Sequence, residues 1–229
     1  AKALTLVEFS MRTTWRWPRD HDESDLIVSE MDEVIPALVA AVQEQHATGD
    51  HYRDDAIRQA MEHQAQLALR PGPVRVDVIV DPPWSDGQIN SVQVVTGDRP
   101  FLVDTVASCL LRHGWRVEDV RHPIIGVKRD RGTIEAVGMP GRGGCASESW
   151  IHIDATAPLG TDIGQAAEQL RDDLCACLDQ VVCATDDWGA MHEAMLRTAE
   201  LVSASSGPAD DRDSSRELLE WLADDHFMY

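Results

Sequence analysis

The sequence predicts an α+β fold in which an antiparallel sheet is flanked by helices at both ends of the chain. Two observations carry this. Between residues 74 and 157, extended stretches alternate with turn residues. Before residue 70 and after Pro158, apolar residues recur at helical spacing. The charge divides the same way: residues 1–80 carry 14 acids and 8 bases, residues 81–157 carry 10 and 8, and residues 158–229 carry 16 and 4. A nearly neutral centre between acidic ends fits a folding unit whose flanking helices have solvated outer faces.

Each element follows from local pattern. Leu4, Leu6, Phe9, Trp15 and Trp17 fit short extended runs before Pro18. Met31, Val34, Ile35, Leu38, Val39 and Val42 keep helical spacing, and Pro36 sets the helix start near itself. A second helix spans 52–69 and is stopped by Arg70-Pro71-Gly72-Pro73. Val74, Val76, Val78 and Val80 alternate as a strand with one buried face, and Pro82 to Gly87 turns the chain into a second strand, Val92–Thr96. Leu102, Val103, Val106, Leu110 and Leu111 then form a helix with Gly114 in a capping position. Trp115–Arg129 reads as one long extended stretch with Pro123 at a bend or an edge, Thr133–Met139 as another, and Trp150, Ile151 and Ile153 as a last strand.

Ala167, Leu170, Leu174, Leu178 and Val181 make a helical stripe, and Met191, Met195, Leu196 and Leu201 make another. Ser203–Asp213 reads as a polar linker, with Ser214 and Glu217 as a capping box beyond it. The chain thus reads as an N-terminal helical segment (1–70), a central domain (71–185) and C-terminal helices (186–229). A hairpin, a helix, further strands and a helix across the same face resemble a ferredoxin-like α/β sandwich. Nothing after Leu159 offers a fourth strand, so Val74–Val80 is expected to pair antiparallel with Val92–Thr96 and close that edge.

The 229 residues carry a formal charge of −20. That argues against nucleic acid or an anionic membrane surface as the main partner, since both are polyanions. No run approaches 18 apolar residues, so no membrane-spanning helix is expected, and Ala1–Phe9 lacks a signal-peptide pattern. Five scattered cysteines read as reduced thiols of a cytoplasmic protein.

Most candidate chemistry has a plain structural reading. Cys175 and Cys177 point about 200° apart on one helix and cannot grip one ion. His122 and His152 lack a third metal ligand, so both are read as structural, each on a strand with one wet face. There is no G-x-S-x-G nucleophile turn, and Gly141-Arg142-Gly143-Gly144 reads as a flexible hairpin loop. No catalytic or metal-binding residue is assigned. The informative stretch is Gly97-Asp98-Arg99-Pro100-Phe101-Leu102, which joins a strand to a helix. There Gly97 would free a tight turn, and Pro100 would sit in the first helical turn. The helix-start N–H groups of Phe101 and Leu102 would hold a carboxylate, with Arg99 adding charge and Asp98 meeting an ammonium. That is amino-acid-binding chemistry; the alternative is that Asp98 only caps the helix.

Asp98–Asp104 looks like the strand-to-helix loop of ACT domains, the small regulatory modules of amino-acid enzymes. Four motifs, in order, are similar to those of the very large bacterial NAD-specific glutamate dehydrogenases: Arg99–Val106, His122–Asp130, Glu148–Asp154 and Leu222–Phe227. The resemblance covers about residues 52–229 and places them in the family's N-terminal ACT-like region. It implies a non-catalytic regulatory or assembly module that forms oligomers, contacts the rest of a parent chain and responds to an amino-acid effector. The parent reaction it implies converts L-glutamate and NAD to 2-oxoglutarate, ammonium and NADH, with NAD bound elsewhere than in this segment. Two other readings stand beside it: an ACT-like subunit-pairing scaffold without ligand, and a free-standing enzyme using His122, Glu148 and His152.

Overall fold

A computed structural model describes residues 36–40, 54–85 and 87–226. The expectations for residues 4–17, and for Met31, Val34, Ile35 and Val42, lie outside these. Two compact units divide the chain, Ala1–Asp179 and Gln180–Tyr229.

In the first unit, residues 36–40 are helical and α1 spans Asp54–Ala68. Strands β1 (Val74–Ile79) and β2 (Asn90–Gly97) lead into α2 (Leu102–Arg112). Then come β3 (Arg116–Arg121), β4 (Ile124–Asp130), β5 (Thr133–Gly138) and β6 (Ala146–Thr156), and finally α3 (Ile163–Asp186), which runs across the unit boundary. The six strands form one antiparallel sheet in the order β1-β2-β6-β4-β5, with β3 also paired to β6.

The expected hairpin is present, with Val74 opposite Thr96 and Val78 opposite Val92. The path β1-β2-β6-β3 is that of a four-stranded ferredoxin-like unit whose edge strand comes from ahead of the first strand. The long stretch Trp115–Arg129 is not one strand. Pro123 lacks an N–H for the ladder, and the chain breaks there into β3 and β4. These lie end to end along β6: β3 pairs with residues 152–156 and β4 with 146–149. Trp150 N–H donates to the Pro123 carbonyl at the seam, 2.9 Å away.

Successive side chains on a strand face opposite sides. Val95 and Trp150 share one core cluster with α1 residues Met61 and Ala65 and with Leu38. Val92, Val94, Ile151 and Ile153 alternate with them and are also fully buried. The buried stripes of α2 (Leu102, Val106, Leu110) and of α3 (Ala167, Leu170, Leu174, Leu178) supply the apolar cover for that second face. His113 Nε2 to Asp173 Oδ2, 2.8 Å, ties α2 to α3. At the end of α2, Gly114 at φ 75° lets its own N–H return to the Leu111 carbonyl and that of Trp115 to Leu110.

The second unit contains α4 (Trp188–Ala204), α5 (Ala209–Trp221) and a π-helical turn, Leu222–His226. The linker expected at Ser203–Asp213 is shorter than read. Pro208, with its φ preset for a helix start, caps α5, so Ser214 lies inside the helix and makes no capping box. His192 Nε2 meets the Ala223 carbonyl at 3.0 Å.

Candidate ligand-binding site

The strand-to-helix loop follows from where the β2 ladder runs out. Gly97 is the last residue of β2 and pairs with Glu148. Its φ is not left-handed, and an added Cβ would meet only Arg99 Nη2 at 3.5 Å. The glycine is therefore not the hinge that the sequence suggested. Asp98 adds one more rung, its N–H donating to the Ser147 carbonyl at 2.9 Å. The left-handed residue is Phe101, φ 70°, which caps α2. Pro100 thus precedes the helix instead of starting it. Asp98 does not cap it either, because no side chain bonds to the helix start. Phe101 is 39% exposed, whereas the Leu102 side chain is 2% exposed and belongs to the core. Only the Leu102 backbone can face a ligand.

Asp98 is exposed, yet its carboxylate is held. Ser149 Oγ donates to Asp98 Oδ1 at 2.6 Å. The hydroxyl has one proton, and it is committed there, so the 2.9 Å contact between His122 Nε2 and Ser149 Oγ requires a proton on Nε2. Burial pushes the His122 imidazole below its ordinary range, and the Asp98 charge opposes that shift. A neutral His122 therefore fixes Ser149, which fixes Asp98. Sequence reading missed both partners. The available signal was that β6 must pair with β2, which sets Ser149 opposite Thr96, two residues before Asp98.

His152 lies elsewhere. It sits on the α1 side of β6 and is buried, not half-wet as expected, because α1 covers that face. Gln93 Nε2 donates to the Ala60 carbonyl at 2.8 Å and to His152 Nδ1 at 3.1 Å. His152 Nε2–H then donates to Asp154 Oδ1 at 3.0 Å. Asp154 pairs with Arg121, which also meets Asp119 at 3.2 Å. Gln93 Oε1 accepts from His63 Nδ1 at 2.8 Å. A protonated His152 would oppose one donor to another at Gln93. Burial pushes its imidazole below the ordinary range, the Asp154 hydrogen bond opposes this, and Arg121 adds to it.

Glu148, on the same face, accepts two bonds from Arg129, at 2.6 and 3.0 Å, and a longer one from the Trp150 indole N–H at 3.4 Å. His122, by contrast, bonds to Ser149 on the opposite face of β6. The trio His122, Glu148 and His152 is not brought together. Among the described residues, no group of three or more His, Cys, Asp or Glu is arranged to hold a metal, and no helix is long and apolar enough to cross a membrane. Gly141–Gly144 joins β5 to β6 and opens no helix, so it does not fit the pyrophosphate of a dinucleotide.

The strand order, the helices on the sheet and the strand-to-helix loop define an ACT-like α+β domain. Residues 37–174 match the family described as the glutamate dehydrogenase ACT1 domain, and the chain belongs to that family. Over 145 residues it is 28% identical to the NAD-specific glutamate dehydrogenase of Halomonas elongata, a stretch covering 60% of this chain and 9% of that relative.

Proposed function

We propose that this chain is a non-catalytic regulatory module of an NAD-specific glutamate dehydrogenase, and that its Gly97–Leu102 loop binds a free amino acid. The parent enzyme would convert L-glutamate and NAD to 2-oxoglutarate, ammonium and NADH, with NAD held outside this segment. The module would contact the rest of the parent chain and further copies of itself. One observation carries the binding part: an exposed carboxylate, Asp98, is held in place by Ser149 beside the start of α2. A fixed carboxylate suits an ammonium group, and the N–H groups of a helix start suit a carboxylate.

Calorimetry with each of the twenty amino acids tests this. One or a few should give heat, and the same ones should raise the melting temperature. Asp98→Asn should weaken that binding by about 1–3 kcal/mol, the worth of a charge-assisted hydrogen bond. No heat from any amino acid, with self-association intact, would leave the subunit-pairing scaffold as the function. Incubated with glutamate and NAD, the chain alone should form no NADH.

A further inference from the structure

We propose that Cys109 and Cys177 are a redox pair that closes reversibly into a disulfide between α2 and α3. All five cysteines are free thiols here. Two polar contacts set the register of the helices. His113, at the C-cap of α2, meets Asp173 on α3 at 2.8 Å, and Arg112 Nη2 meets Cys177 Sγ at 3.1 Å. Cys109 lies four residues before His113, and Cys177 four residues after Asp173. Four residues make about one helical turn, or about 6 Å. On helices running in opposite directions, one turn back on α2 is level with one turn forward on α3. Cys109 is also the i−3 neighbour of Arg112 on α2, so the guanidinium that reaches Cys177 lies beside both thiols.

Their surroundings divide the roles. Cys177 is half-buried, within reach of a small oxidant, whereas Cys109 is 1% exposed. Burial holds the Cys109 thiol in its protonated form. The oxidant is a hydroperoxide. Cys177 sulfur gives an electron pair to one peroxide oxygen and the O–O bond breaks; a sulfenic acid forms, and the other oxygen takes the Cys177 thiol proton and leaves as water from hydrogen peroxide, or as an alcohol from an alkyl hydroperoxide. Cys109 sulfur then attacks Cys177 sulfur; the S–O bond breaks, and the hydroxide takes the Cys109 proton and departs as water. Two thiols are oxidised by two electrons and one peroxide is reduced. A thiol reductant reverses the step. The other three cysteines differ in setting: Cys145 is buried, Cys175 lies two residues from Cys177 and so on another side of α3, and Cys183 is exposed. The link would fasten the end of α2 opposite the Gly97–Leu102 loop.

The test treats the reduced, folded chain with dilute hydrogen peroxide, blocks the remaining thiols, and maps peptides by mass spectrometry. The expected result is a Cys109–Cys177 linked peptide, two of the five thiols lost, a higher melting temperature, and return of all five thiols with dithiothreitol. Cys109→Ala and Cys177→Ser should each abolish the link, and Cys183→Ser should leave it. Should the buried Cys109→Ala fail to fold, Cys177→Ser at its half-exposed position still decides. In denaturant, pairing should scatter among the five cysteines. The proposal is overturned if folded protein keeps five thiols, if Cys177 proceeds to sulfinic acid without a link, or if Cys175 or Cys183 pairs instead.

Discussion

The same two strands, β2 and β6, present opposite chemistry to their two sides. Toward α2 and α3 they show Val92, Val94, Ile151 and Ile153, all fully buried. Toward α1, beside the apolar Val95 and Trp150, they show Gln93, His152 and Asp154, also buried, and wired from His63 to Arg121. An apolar face tolerates imprecision, because burial is non-directional. A buried polar face does not, because each unmet donor or acceptor costs about 1–3 kcal/mol. The network also fixes register, since a slip of one residue would put an aliphatic side chain where Gln93, His152 and Asp154 stand.

The sharpest way to break the comparison is Arg121→Met. It leaves the buried Asp154 carboxylate without its cation, and chemical denaturation should show a loss of about 3–5 kcal/mol. Ile151→Ala, on the other face, should cost about 2–5 kcal/mol by transfer and cavity formation. The two should also differ in kind. Replacing Gln93, His152, Asp154 and Arg121 together by apolar residues of similar size should recover most of the Arg121→Met loss, whereas further apolar changes cannot refill the Ile151 cavity.

Acid should also weaken the fold through its two buried histidines. His152 and His122 both have imidazoles held below their ordinary value of 6.5, chiefly by burial. Just below pH 6.5 the unfolded chain binds protons that the folded chain does not. Stability is therefore full above 6.5 and falls as pH drops toward the folded values. Denaturation from about pH 8 to about pH 5 should show that decline, and His152→Gln should flatten part of it. A slope unchanged by this substitution would mean His152 is not the group responding.

The smallest effect is expected at the end of β2. Gly97→Ala adds a Cβ at ordinary contact distance and no backbone strain, so stability should move by no more than about 0.5 kcal/mol. Gly126→Ala is the counter-test, because its Cβ would run into the Gly138 and Met139 backbone on the neighbouring strand.

These contrasts explain what could be read from the sequence. The hairpin was legible because alternating valines and a Pro-Gly turn are local signals. α2 was legible because its apolar spacing is strict. The network was not, because Gln93 and His152 are distant in sequence and only strand pairing brings them together. Alternation was read as one wet face, and α1 makes both faces dry. At the candidate loop, the segment was found, but its mechanics were not. Glycine was the natural choice for left-handed backbone, yet Phe101 holds it. Ser149 and His122 reach Asp98 only through the sheet.

The edge strand drawn from ahead of the unit also sets an order of assembly. Among the described residues, every strand lies between Val74 and Thr156. β1 and β2 are consecutive in the chain, so they can pair on emerging from the ribosome, within about 1–10 μs. β6 is made last, yet it is the central strand, flanked by β2 on one side and by β3 and β4 on the other. Until it arrives, the inner edge of β2 stays open, with the apolar Val92, Val94 and Val95 beside unpaired N–H and C=O groups. Such an edge is a template for neighbouring nascent chains. A pause in translation before Ala146 would be the moment of greatest aggregation risk, and release of Thr156 ends it.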